Sequence, residues 1–408
     1  MFPVASLLAT LLLALSIAGS PVEIRNSPIT IPIVRRLNTS DGPINLLQCD
    51  KARVAAVKDG SASTLNRRAG SIPVINEVLT YVAQVGVGSP ATTYNLAVDT
   101  GSSNTWVGAL TPYAKTATSI NTGQPVTVDY GSEYFFGTEY TDTVTLGSGL
   151  TITAQSIGVA YEINGFTTVD GILGIGPLGL TAGTLTNALT TTIPTVTQNL
   201  NSQGHISQIV VGVSFQPTTS EKVTNGELTF GGTDATKYTD SIAYTPLTTK
   251  SPSSGYWGID CSITYGSTTL FSATAAGIVD TGTSLIYIAT DAFNKYKSAT
   301  GATVDLSVGL LTLTLTQYGA LNDLNFHIGN TAYSFTRNAQ IWPRSLNTYI
   351  HGNSNSIYLV VWDLGLPSGQ GYDFILGMTF LERFYSVFDT TNSRIGFATT
   401  PYTYTFTN

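Results

Sequence analysis

Histidine, cysteine and charge are all scarce in this sequence. Three His and two Cys among 408 residues leave no disulfide framework and no sequence-local cluster of metal ligands. Cys49 and Cys261 form the only possible internal pair, and a cut between them would leave none. Cys261 lies in a strand-like stretch, 256–265, with no His near it. It reads as a small buried hydrophobe rather than a ligand or a nucleophile. Long apolar runs are missing too. Residues 4–15 are apolar but too few to cross a bilayer, and small residues follow them up to Ser20. That pattern suits the core of a secretory signal cut near Ala18 to Ser20, although only the amino terminus supplies positive charge before it. Residues 1–19 are therefore expected to be a signal peptide, and the protein to be secreted and extracellular with no membrane span. An ordinary N-terminal helix is the other reading.

Charge is unevenly divided. Residues 21–70 carry eight Lys or Arg against four Asp or Glu, whereas residues 71–408 carry ten against twenty-one. The basic block ends in the dibasic stretch Asn66-Arg67-Arg68-Ala69 and contains the glycosylation triplet Asn38-Thr39-Ser40. A basic leader before an acidic body suggests a propeptide over 20–68, held partly by charge attraction that weakens as carboxylates protonate. A solvated tail with no such role stays open. The acidic body offers no basic patch for nucleic acid or an anionic membrane.

The 340 residues after Arg68 suffice for two lobes, each with its own core. Short alternating runs at 80–85, 141–146, 206–215, 227–230, 310–315 and 357–361 predict strands. Turn residues such as Gly88-Ser89-Pro90 and Asn225-Gly226 bound them. Helical spacing is confined to 291–298 with Thr290 as its cap, to 195–203 and to 379–383. The expectation is an all-β chain with a few short helices, its lobes divided as 69–246 and 247–408.

One theme occurs twice, 181 residues apart: Asp99-Thr100-Gly101-Ser102 and Asp280-Thr281-Gly282-Thr283. Each follows a short apolar run and precedes another. Each is also followed later by an apolar-apolar-Gly segment, Ile172-Leu173-Gly174 and Ile375-Leu376-Gly377. A single Asp-Thr-Gly is a weak signal, but the duplicated set predicts two matching half-sites and a two-carboxylate catalyst where they meet. Two carboxylates a few Å apart share one proton, so one can act as a base and the other as an acid.

Across 71–408 these residues resemble the pepsin-like aspartic proteases, and the secreted fungal branch of that family in particular. The stretches 98–107, 277–288 and 381–398 are similar to its two active-site segments and its C-terminal segment. The resemblance implies a bilobal all-β fold and an acid endopeptidase made as a zymogen. Asp99 and Asp280 would activate a water, with no metal and no cofactor. Thr100 and Thr281 would tie the two loops together, Gly101 and Gly282 would let amides approach, and Ser102 and Thr283 would hold the outer carboxylate oxygens. Partners would be protein or peptide substrates and the chain's own propeptide as intramolecular inhibitor, on a monomer. Large hydrophobic residues are the expected preference at the scissile bond.

The hairpin Tyr130-Gly131-Ser132 resembles the family's flap, with Trp106 donating to Tyr130. Its tip departs from the pattern, since Glu133-Tyr134, followed by Phe135-Phe136, stands where relatives have a small Gly-Ser pair. A stiffer, bulkier, acidic tip is expected to narrow the cleft and to favour a basic substrate residue near Glu133. Ile172 resembles a pocket-lining residue, and a plain core role is equally open. Two other classes fit some of the residues: a related fold that has lost catalysis and only binds, and a two-carboxylate glycoside hydrolase. The first conflicts with both Asp-Thr-Gly copies being intact, the second with the repeated Thr-Gly context.

Overall fold

The computed structural model describes residues 28–37, 45–58, 79–131, 133–147 and 150–407. The expected signal peptide, the Asn38 triplet, the dibasic site and Ser132 lie outside the described residues, as does the side chain of Cys49. Among the described residues strands dominate, gathered into sheets of thirteen, seven and three strands. The large sheet takes most of its strands from the first half of the body. It also takes Ala243–Pro246, Phe384–Asp389 and Arg394–Thr399, so the C-terminal segment returns to pair beside Val210–Ser214. The seven-stranded sheet is built from the second half.

Each repeated Asp ends or follows a strand whose parallel neighbour ends at, or just before, a glycine. Thr92–Asp99 runs parallel to Gly171–Gly174, with Asp99 opposite Gly174. Thr268–Val279 runs parallel to Phe374–Leu376. Glycine is required at both partners, because a Cβ on Gly174 or Gly377 would strike the backbone of Ser103 or Thr283.

The described parts of the basic leader form a strand and a helix. Ile29–Leu37 forms a strand between Lys222–Phe230 and Leu79–Val87, and Leu46–Lys58 forms a helix. In Ile29–Leu37, Ile29, Ile31, Ile33, Arg35 and Leu37 point inward. The period-2 pattern therefore carries an arginine into the interior. Charge alone is thus not what holds the leader.

Several expected boundaries move. Asn225-Gly226 is not a turn but lies inside Lys222–Phe230, where the register against the leader strand shifts between Ile33 and Val34 and leaves Asn225 as the extra residue. A Cβ on Gly226 would fall 2.6 Å from Ile33 Cγ1, so glycine there admits the leader strand. The run at 310–315 yields only Leu311–Leu313, because Thr314 and Gln317 form a capping box that starts the helix Leu315–Gly319. The runs at 206–215 and 357–361 give Val210–Ser214 and the pair Ile357–Tyr358 and Val361–Asp363. The helix Val196–Ser202 is capped by Thr195 in the same way as the helix at 315. Thr290 does not cap Thr290–Thr300. Ala289 holds that position, and the Thr290 hydroxyl donates to Asp363 at 2.7 Å.

One buried acid bears on stability. Glu139, on Tyr134–Leu146, accepts from Ser156 Oγ at 2.5 Å through Oε1, while its buried Oε2 has no partner. Burial pushes its carboxyl up to about 7, against the hydrogen bond from Ser156. The folded state therefore holds this proton more tightly than the unfolded chain. Stability falls as the pH rises from the ordinary glutamate range through about 7. Glu139→Gln should remove that slope. Urea unfolding should find the variant stabilised by about 2 kcal/mol more at roughly pH 7 than at roughly pH 5. An equal effect at both would contradict the assignment.

Candidate active site

The two Asp loops meet with near-twofold symmetry. Gly101 N–H donates to Asp99 Oδ1 and Gly282 N–H to Asp280 Oδ1, both at 2.9 Å. Ser102 Oγ donates to Asp99 Oδ2 at 2.5 Å, and Thr283 Oγ1 to Asp280 Oδ2 at 2.6 Å. A Cβ on Gly101 would lie 2.5 Å from Asp280 Oδ1, and one on Gly282 would lie 2.7 Å from Asp99 Oδ1. Each glycine thus makes room for the opposite carboxylate. Beneath them, the Thr100 and Thr281 hydroxyls each accept the other's backbone N–H at 2.9 Å. The same hydroxyls donate across to the carbonyls of Val279 and Val98. Both Asp residues are buried, at 2% and 0% exposure.

A cation sits on the pair. Arg53, from the leader helix Leu46–Lys58, donates Nη2 to Asp99 Oδ1 at 2.5 Å. It also donates Nε to Asp280 Oδ2 at 2.9 Å and Nη2 to Asp280 Oδ1 at 3.1 Å. The two acids respond differently. Burial raises Asp99, Arg53 opposes this, and the Asp280 charge adds to the rise. Burial also penalises the Asp280 charge, but Arg53 and the Thr283 and Gly282 hydrogen bonds outweigh it and hold that carboxyl below the usual range. One carboxylate poised as a base beside one poised as an acid is what hydrolysis through a water requires. Here Arg53 occupies the oxygens that a water would need.

The hairpin Ile120–Asp129 with Tyr134–Leu146 stands over this pair. Trp106 Nε1 donates to Tyr130 Oη at 3.0 Å, and Phe135 stacks on Trp106 at 4.3 Å. Ile172 pairs with Trp106 across the strands and is buried in the same cluster as Tyr130, Val128 and Phe166. That cluster draws on the turn end of the hairpin, through Val128, Tyr130 and Phe135. Gly131 takes a positive φ and meets the leader helix, since a Cβ there would strike the Ala52 carbonyl.

The tip differs from the narrow lid expected. Glu133 folds inward, and its Cγ packs where a Gly165 side chain would be, while its carbonyl accepts Tyr130 N–H at 2.7 Å. Burial pushes the Glu133 carboxyl up to about 7, with Arg53 pulling it down and Asp99 pushing it up. Tyr134 turns along the hairpin toward Phe136 and Glu162.

Sequence reasoning missed Arg53. It is one of eight basic residues in the leader, and no helix was expected there. Its only local mark is an alanine-rich setting, Ala52-Arg53-Val54-Ala55-Ala56, which favours helix.

The family model described as eukaryotic aspartyl protease matches residues 80–400. The chain is 62% identical over 335 residues to polyporopepsin of Irpex lacteus, covering 82% of this chain and 98% of that protein. It is 30% identical over 348 residues to pepsin A of Sus scrofa, covering 81% and 84% respectively. The crystal structure of the aspartic proteinase from Irpex lacteus superposes with a TM-score of 0.79. That match covers 81% of this chain and 96% of the other.

Proposed function

Because this chain belongs to the eukaryotic aspartyl protease family, we propose that it is a secreted zymogen whose Asp99 and Asp280 dyad, once uncovered, hydrolyses peptide bonds. The chain is a pepsin-like aspartic endopeptidase acting on proteins or peptides. The zymogen reading rests on one observation above all: a single guanidinium, from a segment ahead of the dibasic site, bridges both carboxylates.

With Arg53 gone, the freed oxygens accept a water. The ionised acid takes its proton as the oxygen attacks the scissile carbonyl, and the protonated acid donates to the carbonyl oxygen. Collapse of the tetrahedral species breaks the C–N bond, and the amine leaves with a proton returned by the dyad. Ser102, Thr283 and the Gly101 and Gly282 amides hold the carboxylates still through the cycle. Tyr130 and Trp106 carry the flap that covers the substrate.

The domain reading is a signal peptide over 1–19, a propeptide over 20–68 and two catalytic lobes, on a monomer. The leader helix covers a recess lined by Phe293, Val304, Trp362 and Leu364, which supports a taste for large hydrophobic side chains. Glu133 folds in against Gly165 with its carboxyl pushed up to about 7, so in acid it lends no charge to the expected acceptance of a basic side chain near the flap tip.

The full-length protein should be inert toward denatured haemoglobin at about pH 7. Below about pH 4 it should cut itself near residues 66–69 and become active, with pepstatin blocking the activity. Arg53→Ala should shed its leader at a higher pH than the wild type. Full activity of the uncut chain at neutral pH would overturn the zymogen reading.

A further inference from the structure

The leader helix grips the body at a second point that peptide hydrolysis does not use. Asp50 lies three residues before Arg53, a spacing that places both on one helical face. It is 4% exposed, and its two oxygens are both occupied. Oδ1 accepts Ser284 N–H at 3.1 Å, and Oδ2 accepts Leu285 N–H at 2.8 Å. Those amides follow directly on Thr283, whose hydroxyl holds Asp280. The helix thus sets its cation on the carboxylates of the dyad and its anion on free donors of the adjoining chain. Charge-assisted bonds to two backbone donors are among the stronger hydrogen bonds a side chain makes.

We infer that Asp50 is a second autoinhibitory anchor, holding the leader helix in the cleft through the Ser284 and Leu285 amides independently of Arg53. This rests on the zymogen reading above.

The two anchors answer acid in opposite directions. Protonation of the dyad weakens the Arg53 contact, because the guanidinium loses its counter-charge. Asp50 behaves otherwise. Burial pushes its carboxyl up to about 6, opposed by the Leu285 and Ser284 hydrogen bonds and aided by the Asp280 charge. A docked acid with a raised pKa takes its proton more readily than the same acid on a released helix. Docking through Asp50 is therefore favoured, not broken, as the pH falls through about 6. Among the described residues, no cation is paired with it. Lys51 leans over the Trp362 ring at 5.5 Å, in the recess that also holds Asp363, and Arg53 is taken by the dyad. Acid thus loosens Arg53 first while Asp50 keeps the helix seated, and Asp50 sets how slowly the cleft opens.

The test uses the full-length chain, dropped from about pH 7 to about pH 4 at high dilution, with the appearance of haemoglobin-cleaving activity followed in time. Asp50→Ala should activate about tenfold faster than the wild type or more. Asp50→Asn, which keeps one acceptor and the shape, should fall between them. Once the leader is gone, kcat/KM of the Asp50 variants should equal that of the wild type, which separates anchoring from damage to the body. Amide exchange at neutral pH gives a second readout, since Ser284 and Leu285 should exchange faster in Asp50→Ala than in the wild type. Wild-type activation and exchange in Asp50→Ala, beside faster activation of Arg53→Ala, would overturn the second anchor. Failure of every protein, wild type included, to gain activity in acid would overturn the zymogen reading itself.

Discussion

Asp99→Asn should lower kcat by on the order of ten-thousandfold while leaving KM for a peptide substrate within a few-fold of its wild-type value. The comparison requires removing the leader from both proteins with a protease that cuts after Arg68, since the variant cannot process itself. Asn matches Asp in shape, so the geometry should survive: its carbonyl oxygen can still accept Gly101 N–H, now at 2.9 Å, and its amide can donate to Ser102 Oγ. What is lost is the ability to carry a charge or pass a proton. Without that, neither the proton removed from the attacking water nor the one delivered to the leaving nitrogen has a place at position 99. Asp280→Asn should cost about as much, and the double variant little more, because the two act as one unit. A variant within about tenfold of wild type would mean that another group performs the proton transfers.

The dyad was the most legible part of this molecule, because duplication marks it twice. The glycines downstream were legible for the same reason, since only a residue without a side chain lets a second strand lie against each Asp loop. The leader was far less so. Its helix carries Arg53 without an amphipathic pattern to announce it, and the four partners that define Asp50 and Arg53 lie 46 to 235 positions away. Glu133 shows the same limit at shorter range. Composition indicated an acidic tip, but not that the side chain would fold in against Gly165 instead of out over the cleft. Asn225-Gly226 misled because the pair favours a turn when read locally, while the leader strand across from it needs the missing side chain to pack.

Arg35 carries the largest structural effect expected. It reaches the interior because the leader strand alternates and places position 35 in line with Ile29, Ile31 and Ile33. There its Nε donates to Glu382 Oε1 at 2.6 Å, and Nη1 reaches the Ser220 carbonyl at 3.4 Å. Tyr81, stacked on Phe215, donates its hydroxyl toward the same Glu382 oxygen at 3.3 Å. With side chains 1% and 6% exposed, neither partner has water to fall back on. Arg35→Met would leave a buried carboxylate without its cation, which costs about 3–5 kcal/mol. The neighbouring Arg383 is poorly placed to step in, because its guanidinium already donates to the Tyr402 and Thr405 carbonyls and to Asn338. Urea unfolding of the uncut chain at neutral pH should show that loss. Adding Glu382→Leu to Arg35→Met should restore most of it, because an apolar pair of similar size no longer strands a charge. A single variant within about 1 kcal/mol of wild type would mean that Glu382 keeps its charge by other means, and that the leader strand is held by its ladder and apolar face alone.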